Sequence, residues 1–183
     1  MKKSLLPLLV VIAAFAVIAA CSSDNEEAAP ATKAPATAVP ASIVKLGLLS
    51  PQTGPLAVYA AGFQDASAVA IEMLNSSQNA HVYELVIADS ACDGTAAATS
   101  AQSLVDAGVS AIIGAACSGA TLGAIAVAAP AGIPMVSYAS TSPAVTNADD
   151  DGLLFRVVPS DAQQAVALSH VVDQSGVSSP AVI

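Results

Sequence analysis

The sequence of 183 residues contains no tryptophan, and aromatic side chains make up only 3% of it. A core of this composition has to be packed from Val, Ile, Leu and Ala rather than around large rings. Basic residues are scarce as well, since five Lys and Arg stand against 14 Asp and Glu, for a formal net charge of −9. A chain this acidic lacks the positive surface that binds a phosphate backbone, so we expect no nucleic-acid partner.

Histidine and cysteine, which hold zinc or drive nucleophilic catalysis in many proteins, are also few, at two and three residues. A zinc site takes about four ligands, and His81 and His170 lie far from the loops that carry Cys92 and Cys117. A cysteine nucleophile needs a nearby base, and neither histidine is placed to serve. The nucleophile-elbow pattern also fails, because Ala115 stands where its first glycine belongs. We expect no metal, no cofactor and no catalytic residue.

The N-terminus has the pattern of a targeting signal. Two lysines precede an apolar run over residues 5–20, which is shorter than the roughly 20 residues of a membrane-spanning helix. The run ends in IAAC at Cys21, and this ending resembles a bacterial lipoprotein signal. The resemblance implies that residues 1–20 are removed and that Cys21 is lipidated, with an uncleaved signal anchor as the alternative. Residues 21–42, rich in Ala, Pro and Thr, are expected to form a disordered tether.

From residue 43 onward, apolar strands alternate with helices. Strands are predicted at 43–49, 83–89, 110–114 and 133–137, and helices at 62–75, 95–107, 118–129 and about 160–174. This alternation is typical of an α/β fold, an open parallel sheet with helices on both faces. The helix at 62–75 presents one apolar face: Phe63, Ala66, Ala70, Met73 and Leu74.

Ligands of open α/β sheets bind at the carboxyl ends of the strands, which predicts binding loops at 50–59, 89–94, 114–119 and 137–143. Cys92 and Cys117 lie in two of these loops. Cysteines at neighbouring strand ends of an exported protein come within bonding reach in a compartment where disulfides persist. These residues favour a disulfide, with two buried free thiols as the alternative.

Ser118 follows directly, at the predicted start of a helix. Backbone N–H groups at a helix start are unpaired and the helix dipole is positive there, so an anion is favoured. Thr141 and free backbone groups follow the next strand in YASTSP. Together the two turns could hold a carboxylate and, through a carbonyl, an ammonium group. The residues alone leave open a plain N-cap at Ser118 and an ordinary turn at 138–143.

Three segments resemble the extracytoplasmic substrate-binding proteins of branched-chain amino acid ABC transporters. They are LGLLSPQTGPLAVYAAGFQDASAVAIEMLN at 46–75, VIADSACDGTAAATSAQSLVDAGVSAIIGAACSGAT at 86–121 and GIPMVSYASTSP at 132–143. The resemblance implies a type I periplasmic binding protein of two lobes, with the Cys92–Cys117 pair as the family's disulfide. It further implies that Ser118 and Thr141 bind the ligand carboxylate, that the Ala139 carbonyl faces the ammonium group, and that Tyr59 lines the side-chain pocket.

The domain organisation implied is a signal peptide at 1–20, a tether at 21–42, an incomplete first lobe at 43–157, and a hinge crossover with the start of a second lobe at 158–183. We therefore expect an N-terminal fragment of a longer protein. The implied partners are a leucine-, isoleucine- or valine-like ligand, the permease and ATPase subunits, and the membrane through the lipid anchor. The implied location is the periplasm or the outer face of the cytoplasmic membrane.

Three other functions fit the sequence. The same fold can serve as a sensory or cell-envelope interaction module, or it can bind an amide- or urea-type ligand. An α/β enzyme that uses Asp89 and Asp93 as an acid/base pair is a further alternative, although aspartates in such loops are more often turn and cap residues.

Overall fold

The computed structural model describes residues 42–77 and 80–181. Cys21 and the predicted signal and tether, up to residue 41, lie outside these ranges. The strands are β1 (Ser42–Ser50), β2 (His81–Asp89), β3 (Ala111–Ile113), β4 (Met135–Ser137) and β5 (Leu154–Arg156). The helices are α1 (Ala60–Ser76), α2 (Gly94–Asp106), α3 (Ser118–Ala128), α4 (Pro143–Thr146) and α5 (Asp161–Ser175), with a 3₁₀ turn at Ala57–Tyr59 before α1.

The strands of the described residues form one sheet in the order β2-β1-β3-β4-β5, and every pairing in it is parallel. The predicted α/β class with an open parallel sheet is confirmed. Because all strands run the same way, their carboxyl ends and the loops that follow them lie along one edge of the sheet.

One face of the sheet is covered by α2 and α3. Leu49, Ile112 and Met135 point into this layer and are fully buried. The two helices contribute small side chains to it, namely Ala97, Ala101, Ala120, Ala124 and Ala128, all fully buried. A core built from alanine against Leu, Ile and Met lets the helices approach closely, which is how a chain so poor in aromatics reaches dense packing.

The opposite face carries α1. Ile113 follows Ile112 along β3 and therefore points the other way, where it lines an apolar cavity of about 330 Å³ together with Phe63 and Tyr138. Of the residues in α1 only Ala60 is buried. The predicted apolar face of this helix is not a core face among the described residues, because Met73 is 67% exposed. Helices lie on both faces as expected, but this face is covered more thinly.

The chain after β4 differs from expectation. No helix was predicted at α4 and no strand at β5. Ser142 nevertheless caps α4 by accepting a hydrogen bond from the Ala144 N–H, and β5 pairs with β4 at the sheet edge. The expected cap at Ser160 is present and forms a capping box with Gln163 at the start of α5. Within the described residues, no helix combines the length and apolar character that crossing a bilayer requires.

Candidate functional site

The loops after β1 to β4 lie at the carboxyl edge of the sheet, where the sequence placed its candidate residues. The second and third of these loops are joined by a disulfide between Cys92 and Cys117, whose Cα atoms are 5.2 Å apart. Cys117 is also the N-cap residue of α3, so the covalent link ends one residue before Ser118. By closing a loop of 25 residues, the link is expected to stabilise the fold by about 3–4 kcal/mol.

A contact between two glycines holds α2 and α3 together beside the disulfide. Gly123 of α3 lies against the backbone of Gly94, the first residue of α2, so closely that a Cβ atom at position 123 would overlap the Gly94 carbonyl. The space beside Gly94 is also tight, since a Cβ there would lie 3.1 Å from the Gly119 carbonyl oxygen. The start of α3 is therefore fixed by a covalent bond and by close backbone packing.

Ser118 is the first residue of α3 and is half-buried. Its Oγ accepts a hydrogen bond of 3.2 Å from the backbone N–H of Ser142, in the loop after β4. This bond uses a lone pair and leaves the hydroxyl proton of Ser118 available as a donor. The structure therefore brings Ser118 together with the loop that contains Thr141. We call Ser118 together with residues 139–142 the cradle.

Three fully buried hydroxyl groups form hydrogen bonds that join the two loops of the cradle. Thr121 Oγ1 lies 2.8 Å from Ser140 Oγ. Ser137 Oγ donates to the Ala115 carbonyl at 2.7 Å and accepts from the Ser140 N–H at 3.0 Å. Buried hydroxyls need such partners because leaving one unpaired costs about 1–3 kcal/mol. These three residues were not among the predicted site residues, although two hydroxyl residues, Ser140 and Thr141, stand side by side in the run YASTSP.

Thr141 and Ala139, the other residues predicted to grip a ligand, lie half-buried on the same loop. Across residues 42–77 and 80–181, neither the Thr141 hydroxyl nor its backbone N–H has a protein partner, and the Ala139 carbonyl accepts no bond. The Thr141 carbonyl, by contrast, accepts from the Asp161 N–H at 2.8 Å. The cradle thus presents unused donors and one unused carbonyl.

Tyr59, the predicted pocket-lining residue, lies on the 3₁₀ turn after β1 and is 58% exposed. In the part of the chain that the structure describes, its side chain has no hydrogen bond to the cradle. A second tyrosine that the sequence analysis missed is more tightly held. The Tyr138 hydroxyl donates to the Leu49 carbonyl at 3.1 Å, its ring lies 4.7 Å from that of Phe63, and burial raises its pKa to about 12.

The two aspartates considered for acid/base chemistry have structural partners. Asp89 accepts from the Thr53 hydroxyl at 2.6 Å and from the Ala91 N–H at 2.8 Å, so it fastens the loop after β1 to the end of β2. Partial burial acts to raise the pKa of Asp89, but these hydrogen bonds outweigh it and the pKa lies below its ordinary value. Asp93 caps α2 by accepting from the Ala96 N–H at 2.8 Å. Both carry the turn and cap roles favoured from the sequence.

The cradle contains no ionisable side chain. Its binding groups are hydroxyls, peptide N–H groups and a carbonyl at a helix start, which suit a carboxylate and an adjacent ammonium. Within residues 42–77 and 80–181, no group of three His, Cys, Asp or Glu side chains comes together as a metal site would require.

Comparison with known proteins identifies the family. The sequence profile described as periplasmic binding protein matches residues 43–183. The chain belongs to the periplasmic binding protein family. The matched region includes both cysteines of the disulfide and all residues of the cradle.

Two relatives show how much of a family member is present. The chain is 32% identical over 123 residues to a leucine-, isoleucine-, valine-, threonine- and alanine-binding protein of Pseudomonas aeruginosa, covering 66% of this chain and 33% of that protein. It is 30% identical to a branched-chain amino acid transporter substrate-binding protein of Streptococcus pneumoniae, solved with isoleucine, at a TM-score of 0.65 and covering 72% and 38% of the two chains. The chain thus spans about a third of the length of the curated relatives it matches.

A third comparison supports the fold alone. A solute-binding protein of an ABC transporter from Rhodopseudomonas palustris, solved with 3,4-dihydroxybenzoic acid, matches at 23% identity and a TM-score of 0.62, covering 73% of this chain and 37% of that one.

Proposed function

We propose that this chain is part of an extracytoplasmic solute-binding lipoprotein of an ABC importer. This part binds the carboxylate and ammonium groups of a small amino acid. The proposal rests mainly on the hydrogen bond from the Ser142 N–H to Ser118 Oγ. This bond places the start of α3 beside a loop that has unused hydrogen-bond donors. The ligand is a branched-chain or related small amino acid. The protein performs no catalytic step.

The carboxylate of the ligand is assigned to the Ser118 hydroxyl, the Thr141 hydroxyl and the Thr141 N–H. Carboxylates are stabilised at a helix start by unpaired N–H groups and by the helix dipole. The Ala139 carbonyl is assigned to the ammonium group, because among the described residues it is the only carbonyl of residues 139–142 that accepts no hydrogen bond. Tyr59, at the same edge of the sheet, is proposed to line the side-chain pocket.

The choice of amino acid rests on two relatives and on the neutrality of the cradle. The Pseudomonas protein binds leucine, isoleucine, valine, threonine and alanine by its name, and the Streptococcus structure contains isoleucine. A cradle without ionisable side chains adds no contact that would favour a charged ligand side chain.

Titration calorimetry on the full-length polypeptide encoded by the gene tests the proposal, with L-leucine, L-isoleucine and L-valine as ligands. We expect binding in the micromolar range or tighter, and about ten-fold weaker binding by the Ser118→Ala variant, which loses one hydroxyl donor. Leucinamide and 3,4-dihydroxybenzoate are the comparison ligands. Absence of heat with every small amino acid and amide would refute the proposal, whereas heat with 3,4-dihydroxybenzoate alone would replace the amino acid with an aromatic acid.

Lipid attachment and delivery to an importer are separate parts of the proposal. Cys21→Ser should release the protein from the membrane fraction, and mass spectrometry of the wild type should detect a lipid on Cys21. Loss of leucine uptake on deletion of the gene, restored by the wild type but not by Ser118→Ala, would support delivery. A normal uptake rate in the deletion strain would contradict it.

A further inference from the structure

Arg156, the last residue of β5, reaches the back of the cradle. Its Nη1 donates to the Ser142 carbonyl at 2.9 Å and to the Ser140 carbonyl at 3.3 Å, and its Nη2 donates to Thr146 Oγ1. The side chain is half-buried, and no carboxylate pairs with it among the described residues. The nearby Asp150 uses its carboxylate on the N–H groups of its own turn, at Gly152 and Leu154.

The position of these bonds matters because a trans peptide points its C=O and its N–H in opposite directions. The Ser140 carbonyl belongs to the same peptide group as the Thr141 N–H, and Arg156 holds that carbonyl. The Thr141 carbonyl belongs to the same peptide group as the Ser142 N–H. It is held by the Asp161 N–H, while the Ser142 N–H itself points to Ser118. Both peptide groups are therefore fastened at their carbonyl ends: the Ser142 N–H points to Ser118, and the Thr141 N–H points away from the guanidinium of Arg156.

We propose that Arg156 is a positioning residue for ligand binding: its guanidinium fixes and polarises the peptide whose N–H, at Thr141, meets the ligand carboxylate. This inference rests on the proposed function. A cation on the carbonyl oxygen draws electron density through the peptide, so the N–H at its other end becomes a stronger donor. Arg156 acts from behind the loop and does not itself touch the ligand.

The planar guanidinium, with several N–H donors in fixed directions, explains why arginine occupies this position. It spans two carbonyls and a hydroxyl at once, which the single ammonium of a lysine cannot do with the same geometry. The segment from Arg156 to Asp161 supplies the bonds to all three successive carbonyls of residues 140–142. The direction of the Thr141 N–H is thereby set by the chain that leads from β5 into α5.

Arg156→Gln and Arg156→Lys in the full-length polypeptide test the inference, with Lys45→Gln as the matched control. Lys45 also donates from a cation to a backbone carbonyl, that of Ala107 at 3.1 Å, but it lies on β1 away from the cradle. Calorimetry should give about ten-fold weaker L-leucine binding for Arg156→Gln, an intermediate value for Arg156→Lys and no change for Lys45→Gln. Leucinamide, which lacks the carboxylate charge, should lose less affinity than leucine.

Amide NMR of the ligand-free protein provides a readout that a general loss of stability would not move. The Thr141 N–H resonance should shift upfield in Arg156→Gln and stay in place in Lys45→Gln, since only the first removes the polarising cation. Unchanged Thr141 resonances together with wild-type leucine affinity in Arg156→Gln would overturn the inference, as would equal affinity losses in Arg156→Gln and Lys45→Gln. If the wild type binds none of the three amino acids, the proposed function fails, and the Thr141 resonance still decides whether Arg156 polarises this peptide.

Discussion

Gly123 in α3 packs directly on the backbone of Gly94 at the start of α2, leaving no room for a side chain at position 123. Gly123→Ala should therefore destabilise the fold by about 1–3 kcal/mol, because overpacking at a backbone contact exceeds the gain in helix propensity. Denaturant unfolding of the full-length polypeptide measures the change. Gly119→Ala on the same helix is the control, since a Cβ there meets nothing within 4 Å and stability should hold or rise slightly. A Gly123→Ala variant as stable as the wild type would contradict the packing described.

Removal of the disulfide should have a larger effect. The double variant Cys92→Ala, Cys117→Ala should lose about 3–4 kcal/mol of unfolding free energy, because the unfolded chain regains the entropy of a 25-residue loop. Unfolding curves with and without reductant measure this loss. Reductant should destabilise the wild type by a similar amount and leave the double variant unchanged. Coincident curves for wild type and variant under oxidising conditions would be inconsistent with this role of the bond.

The hydrogen bonds of Asp89 predict an acid-dependent stability. The folded pKa of Asp89 lies below its ordinary value, so its contribution to stability is complete above about pH 4 and is lost as the pH falls through the folded pKa. The stability difference between wild type and Asp89→Asn should be constant from pH 5 to pH 7 and shrink below pH 4. Thr53→Val, which removes the 2.6 Å donor, should raise the pKa of Asp89 towards its ordinary value. A difference that stays constant down to pH 2.5 would exclude this linkage.

Thr141 should matter for binding and not for folding. Its hydroxyl has no protein partner within the described ranges, so Thr141→Val should change the unfolding free energy by less than about 0.5 kcal/mol. The same change should weaken leucine binding by about ten-fold, because one donor to the carboxylate is lost. Thr99→Val is the control, since that hydroxyl bonds only to the Thr95 carbonyl of its own helix. Wild-type affinity in Thr141→Val would remove this residue from the proposed site.

The sequence predicted the order of strands and helices up to β4 because long apolar runs alternate with clear helix starts and stops. The bounds differ by a residue or two at most ends, as at α3, which ends at Ala128 rather than 129. The strand β5 was missed because, unlike the equally short β3 and β4, it ends in a charged residue, Arg156, and its Phe155 is 55% exposed. The helix α4 was missed although Ser142 followed by Pro143 is a helix-start signal, since four residues leave no apolar period.

The candidate site was predictable only in part. Parallel strands bring successive loops to one edge, which placed Ser118 and the Thr141 loop on the same edge of the sheet. Element order does not give strand neighbours: β3 and β4 are adjacent, but β2 and β3, expected to be neighbours, lie on either side of β1. Arg156 could not be found this way, because the carbonyls that a guanidinium reaches depend on the path of the loop in space. The hydroxyl network of Thr121, Ser137 and Ser140 was also missed. Hydroxyl residues in turns are usually exposed to solvent, and only the folded loops show that these three are buried.

The absence of ionisable side chains from the cradle has a consequence for how the proposed binding would respond to pH. Hydroxyls and peptide groups keep the same protonation from mildly acidic to mildly alkaline water. Across that range, acidification would leave the donors and acceptors of the cradle unchanged and would alter only the charges of the proposed amino-acid ligand. Any effect of pH on binding at the cradle would then come from protonation of the ligand and not from protonation of the cradle.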